Sequence, residues 1–193
     1  MKNKFLISLK IKYFSIVLSV LFLLLCYSCE NKKRKEINKI LNEWIGKEIL
    51  IPDNVTFKSF AKDTIFNSVF EREYKILFYI DTLGCLSCNT KLHLWKNIIE
   101  EFDVIAPDKV GFIFVFEFKR LSDAIYLLRD EDFKYPVIID SDRKFNILNN
   151  FPVQRELQCF LLDKENKTLL VGNPTLNTEI LNLYKKQILI EFD

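Results

Sequence analysis

The chain has 193 residues, a formal net charge of +2, 49% hydrophobic residues, and 18 phenylalanines against four glycines. That balance supports one domain with a substantial core and excludes both a disordered chain and a loop-rich disulfide scaffold. The small positive charge belongs to the leader: residues 1–28 carry four of the 28 basic residues and no acid, leaving 24 basic against 26 acidic, so nucleic-acid binding has no electrostatic footprint.

Lys2, Lys4, Lys10 and Lys12 precede an almost wholly apolar run, Tyr13 to Leu25, which is short for a membrane span and suits the core of a signal peptide. It ends at Leu25-Cys26-Tyr27-Ser28-Cys29, and charge begins at Glu30. A cysteine just after the apolar core resembles a bacterial lipoprotein signal. Cys29 is the expected lipidation site, because Ser28 before it is small whereas Leu25 before Cys26 is bulky. An uncleaved anchor or an ordinary secretory signal are the alternatives. Three of the five cysteines, Cys85, Cys88 and Cys159, remain for the folded body, too few for a disulfide framework.

Asn31 to Glu36 reads as a polar tether. Ile37, Ile40, Leu41, Trp44 and Ile45 recur at helical spacing until Gly46, and Ile49 to Pro52 reads as a short extended piece; this leading segment is expected to pack on the main domain. From residue 74 the elements alternate. Tyr74 to Ile80 is a strand, and Leu92, Trp95, Ile99 and Phe102 mark the buried stripe of a helix that opens near Cys85. Val110 to Phe118 is a second strand, and Ser122 is the expected N-cap of a helix through about Arg129. Tyr135 to Asp140 is a third strand, with a short helix around Arg143 to Leu148. Gln158 to Leu162 and Thr168 to Val171 form a hairpin, and Ile180, Leu181, Tyr184 and Ile188 give a closing helix. The order β-α-β-α-β-α-β-β-α predicts an α/β fold: a mostly parallel central sheet, helices on both faces, and a C-terminal hairpin plus helix.

Cys85-Leu86-Ser87-Cys88 follows directly on the first of these strands and is expected to open a helix. Unpaired N–H groups at a helix N-terminus favour thiolate over thiol. Cys85 at the turn is the expected nucleophile. Cys88, one turn inward, is placed to attack the mixed disulfide and release the product. Asp81 and Glu117 end parallel strands on the same edge, where either can shuttle a proton to Cys88; solvation of a strand end is the ordinary reading of both. Cys159 is read as a small buried hydrophobe rather than a third redox thiol. His93, the single histidine, is read as a surface residue, and a zinc site of Cys85, Cys88, Cys159 and His93 is not expected given tetrahedral demands.

Strand, CxxC, helix, strand, helix and a terminal hairpin with helix resemble the thioredoxin superfamily over about residues 55–193. The extra strand and short helix between 135 and 148 resemble its TlpA-like and redoxin branch. The leader and tether read above, with this resemblance, give an expected domain division of 1–28 lipoprotein-type signal peptide, 29–54 tether and N-terminal helix, and 55–193 thioredoxin-like domain. The resemblance assigns Cys85 the nucleophile role and Cys88 the resolving role. The sequence departs from the family at two places. Gly84 stands where tryptophan usually precedes the first cysteine, and Arg155-Glu156-Leu157-Gln158-Cys159 holds no counterpart of the family's cis-proline before the Phe160 strand. A peroxiredoxin is not expected, because Thr82 does not stand at the spacing before Cys85 that such a site uses.

The expected function is thiol–disulfide exchange on envelope proteins bearing thiols or disulfides. It needs a redox partner and no cofactor or metal beyond the cysteines, and the protein is expected on a bacterial membrane facing the periplasm. Leu86-Ser87 contains no histidine to favour the thiolate, which points to a reductant or isomerase. The alternative is a thioredoxin-fold binding or sensor lipoprotein without turnover.

Overall fold

A computed structural model describes residues 32–60, 62–81 and 91–190. The expected signal peptide, Cys29 and the Gly84-to-Cys88 motif lie outside the described residues. The chain divides into two units, Met1–Glu43 and Trp44–Asp193. Residues 32–44 form a helix, α1, at the expected spacing. It stops where Gly46 adopts φ +79, a left-handed conformation that costs glycine no Cβ clash.

In the second unit the strands are β1 (Phe57–Ser59), β2 (Lys62–Thr64), β3 (Tyr74–Ile80), β4 (Val110–Phe116), β5 (Val137–Ile139), β6 (Cys159–Leu162) and β7 (Thr168–Val171). The helices are α2 (Leu92–Ile105), α3 (Leu121–Asp130), α4 (Lys144–Asn149) and α5 (Thr178–Leu189). The strands form one mixed sheet in the order β2-β1-β5-β4-β3-β6-β7. β3, β4 and β5 run parallel, and β6 and β7 are the predicted antiparallel hairpin on the other side of β3.

Every residue of β3 and β4 is buried, as strands covered on both faces must be. Side chains alternate between the faces. One face presents Ile76, Phe78, Ile80, Phe112, Phe114 and Phe116, which form a single cluster with Trp95 and Phe102 of α2, Leu127 and Leu128 of α3, and Tyr184 and Ile188 of α5. The other presents Leu77, Tyr79, Ile113 and Val115, all buried; Phe151 stacks on Tyr79 at 4.5 Å and Trp44 lies 4.8 Å from Phe160. Residues 46–49 run along the hairpin, with Ile49 N donating to Asn166 O at 2.9 Å and Thr168 N to Lys47 O at 2.9 Å.

Four local readings change. β4 ends at Phe116, because Asp140 N and Phe118 N both donate to its carbonyl and turn the chain out of the ladder. β5 starts at Val137, since Pro136 before it has no N–H to give a ladder. Ser122 is not the N-cap of α3. The helix opens at Leu121 from Arg120, whose guanidinium Nε donates to the Asp123 carboxylate at 3.0 Å, and no side chain caps the backbone. The β1–β2 hairpin was not foreseen; it pairs antiparallel with β5, Phe57 opposite Ile138.

Lys75 is the one charged residue inside β3. Its ammonium is fully buried and donates to Lys164 O at 2.8 Å, with Phe70 O and Arg72 O at 3.5 Å, and burial pulls its pKa below 10.5. Carbonyl oxygens there replace the water that a buried ammonium otherwise loses.

Candidate functional site

The parallel strands end together. Ile80 is in register with Phe116, and Glu117 N donates to Ile80 O at 2.8 Å, so the next residues, Asp81 and Glu117, leave the sheet side by side. By alternation both share the face of Tyr79. Their side chains are only 10% and 11% exposed, so each buried carboxylate needs donors.

Glu117 has them on both oxygens. The Tyr79 hydroxyl donates to Oε2, and Arg143 Nε lies 2.8 Å from Oε1. Burial, then the neighbouring Glu117 carboxylate, hold the Tyr79 phenol well above its ordinary value of 10.0. Arg143 is delivered by the start of α4. It sits in the left-handed region at φ 60, and the Asp140 carboxylate behind it accepts from Lys144 N at 2.8 Å and Phe145 N at 2.9 Å. Asp140 thereby satisfies two of the N–H groups that a helix start leaves open.

Asp81 is held from the opposite side. A 3-10 turn, Arg155–Leu157, leads into β6 and presents Arg155 and Gln158. Gln158 Nε2 donates to Asp81 Oδ2 at 2.9 Å and to Pro152 O at 2.8 Å, while Arg155 Nε stands 3.8 Å from Asp81 Oδ1. Gln158 is 3% exposed, and its carbonyl accepts from Tyr79 N at 3.0 Å, locking the β6 entry to β3. No peptide bond among the described residues is cis, and Gln158 occupies the position just before β6.

Cys159 is one residue further and on the opposite face. It is fully buried in the cluster under α2 and α5, paired with Phe78 across the ladder, with the Tyr184 hydroxyl 3.8 Å from its sulfur. Burial pushes its thiol up to about 12. His93 is at the surface, its Nδ1 3.8 Å from Glu131 Oε2. α2 opens at Leu92 from Lys91 in the left-handed region, so the helix start expected at Cys85 falls outside the described residues.

Sequence reasoning named Asp81 and Glu117 but missed Tyr79, Arg143, Arg155 and Gln158. An amide and two arginines in loops carry no spacing signal. A glutamine immediately before a wholly apolar strand was the one visible clue.

No family model matches the chain, and no curated protein matches it by sequence. Solved structures do match in shape. A protein assigned as thiol:disulfide interchange protein DsbE of Chlorobium tepidum superposes with TM-score 0.56 at 15% identity, over 75% of this chain and 97% of that one. The fold is thioredoxin-like. A protein of Bacteroides thetaiotaomicron assigned as a disulfide isomerase gives TM-score 0.55 at 14% identity, over 75% and 88% of the two chains. PrxQ of Xylella fastidiosa, solved as a cysteine-to-serine mutant, gives 0.53 at 13%, over 74% and 96%. On this thioredoxin-like fold, then, thiol:disulfide and peroxiredoxin names occur together, and the fold alone does not choose between their chemistries.

Proposed function

We propose that this chain is a thiol–disulfide oxidoreductase of the bacterial envelope, working through Cys85 and Cys88 and tethered to the membrane, facing the periplasm, by lipid on Cys29. The observation that carries the reading is the junction at the end of β3. The buried Asp81 carboxylate closes that strand, and Gly84-Cys85-Leu86-Ser87-Cys88 follows it within a few residues of chain. The carboxyl edge of a parallel sheet is where an α/β fold presents its chemistry, and the dithiol follows in the chain a strand that ends there.

In the reducing direction the Cys85 thiolate attacks one sulfur of a partner's disulfide. A Cys85–partner S–S bond forms, the partner's S–S bond breaks, and the first partner thiolate leaves and takes up a proton. Cys88 then gives its proton to a carboxylate, Asp81 or Glu117, and attacks the Cys85 sulfur. The intramolecular disulfide forms, the mixed disulfide breaks, and the second partner thiolate leaves with the proton the carboxylate held. Two electrons pass from the dithiol to the partner disulfide; Cys88 supplies one proton and solvent, which took the Cys85 proton when its thiolate formed, supplies the other, with no cofactor beyond the cysteines. A separate redox partner must restore the dithiol.

The test is trapping. Cys88→Ser should accumulate a mixed disulfide with envelope proteins, and Cys85→Ser should accumulate none; mass spectrometry of the adduct names the substrate. A Cys85 thiol that alkylates with a pKa at or above about 8.5, together with an empty Cys88→Ser trap, would replace this reading with a binding lipoprotein.

A further inference from the structure

The basic run after the leader is not a loose spacer. Lys32, Lys33, Arg34 and Lys35 lie within α1, and a helix fixes the direction in which each side chain points. Lys32, Lys35 and Lys39, at i, i+3 and i+7, make one row on the side away from the half-buried Ile37, Ile40 and Leu41. The five cations between Lys32 and Lys39 are all exposed, and none takes part in an ion pair among the described residues. In water the row is unfavourable, because like charges at i, i+3 and i, i+4 weaken a helix. A negatively charged surface laid against it turns that repulsion into attraction.

Charge is also segregated along the chain. Residues 32–39 hold five basic residues against the single acid Glu36, whereas residues 40–193 hold 19 basic against 24 acidic. Chain length supplies the partner. Cys29, the proposed site of the lipid, is three residues from Lys32, about 10 Å at full extension. The Debye length at physiological salt is about 8 Å, so a lipid on Cys29 holds these cations within reach of headgroup charge.

We infer that α1 is a membrane-surface helix: its row of Lys32, Lys35 and Lys39 lies against anionic phospholipid headgroups around the anchor. The contact is electrostatic and peripheral. Asn38 and Asn42 flank the row, so ammonium and amide groups meet the headgroups and no apolar side chain enters the bilayer. The same surface repels the net-negative remainder of the chain, so the basic helix is the part it attracts. This inference rests on the lipid-anchored reading and adds a headgroup contact to it.

The experiment reconstitutes the full-length protein, purified from membranes in detergent, into two kinds of vesicle: phosphatidylcholine alone, and phosphatidylcholine with phosphatidylglycerol. Vesicles are recovered by flotation, and amide hydrogen exchange is followed in residues 32–41. Exchange there should be roughly tenfold or more slower on the anionic vesicles, while α5 exchanges alike on both. The difference should vanish at about 1 M salt, where the Debye length is about 3 Å. Lys32→Gln/Lys35→Gln/Lys39→Gln should exchange alike on both vesicles, and Lys32→Arg/Lys35→Arg/Lys39→Arg should keep the difference. Glutamine and arginine are both good helix formers, so helix propensity does not separate the two variants.

Equal exchange of the wild type on both vesicles would overturn the lipid contact and leave the anchor intact, whether the helix is equally open or equally held by an acidic protein surface. A glutamine variant that retains the difference would overturn it too. A wild-type protein that floats with neither vesicle would overturn the anchored reading, and the inference with it.

Discussion

Cys159 and Asp81 lie on the two faces of the sheet near the ends of adjoining strands, and their surroundings give them opposite characters. Cys159 sits among Phe78, Tyr184 and the residues under α2 and α5, where no water reaches the sulfur. Its thiol is raised to about 12 from 9.0, chiefly by burial, so it stays protonated in the folded chain while an unfolded thiol ionises. A raised folded value means the folded state holds the proton longer, so stability is full below pH 9 and is lost progressively towards about 12. Tyr184, also raised by burial, adds to that loss in the same direction. Urea unfolding at pH 8, 10 and 11 should show the decline, and Cys159→Ala should flatten part of it. At neutral pH that substitution should cost on the order of 1 kcal/mol and spare activity. A maleimide should label Cys159 only on unfolding; rapid labelling of the native reduced protein at this position would contradict the buried geometry.

At the scale of elements, close approach decides what the alternating pattern cannot. Gly111, the second residue of β4, has no room for a side chain: an added Cβ would lie 2.7 Å from Val69 Cγ2 and 2.8 Å from Val69 O, in the 3-10 turn Asn67–Glu71. One of those atoms is backbone and cannot swing aside. Gly111→Ala should therefore destabilise the fold by about 1–3 kcal/mol, read as a lower urea midpoint at unchanged slope. Asp140→Asn tests a different element. It weakens the acceptor for Lys144 N and Phe145 N at the start of α4, costing about 1 kcal/mol, and it slackens the backbone that carries Arg143 to Glu117. The long elements were legible because their periodicity repeats: α2 buries the stripe its spacing announced, α5 buries Tyr184 and Ile188 with Ile180 and Leu181 partly covered, and β3 and β4 are apolar runs broken only by Lys75 and Gly111. β1 and β2 were not, since three residues hold no readable alternation and their pairing with β5 is a long-range event.

For the whole molecule, the proposed export and anchoring rest on the leader, which lies outside the described residues. Among the described residues no helix is long and apolar enough to cross a membrane. Membrane association through lipid on Cys29 is the proposal to be tested. Fractionation of cells expressing Cys29→Ala should move the protein from the membrane to the soluble fraction, since two or more acyl chains hold stably where one does not. Equal retention of the variant would exclude lipidation at this residue.

What the linear order of residues determined is what depends on local repetition. Apolar runs and stripes set the elements and their order, and the CxxC set the proposed chemistry by standing directly after a strand. The partners of that chemistry depend on which loops the fold brings back to the strand ends. Asp81 and Glu117 lie 36 residues apart, and their donors come from Tyr79, Arg143, Arg155 and Gln158. Only the parallel register of β3 and β4, with β6 antiparallel beside them, gathers these residues at one edge. A buried carboxylate must find donors wherever the folded chain supplies them, and no spacing in the sequence records that requirement.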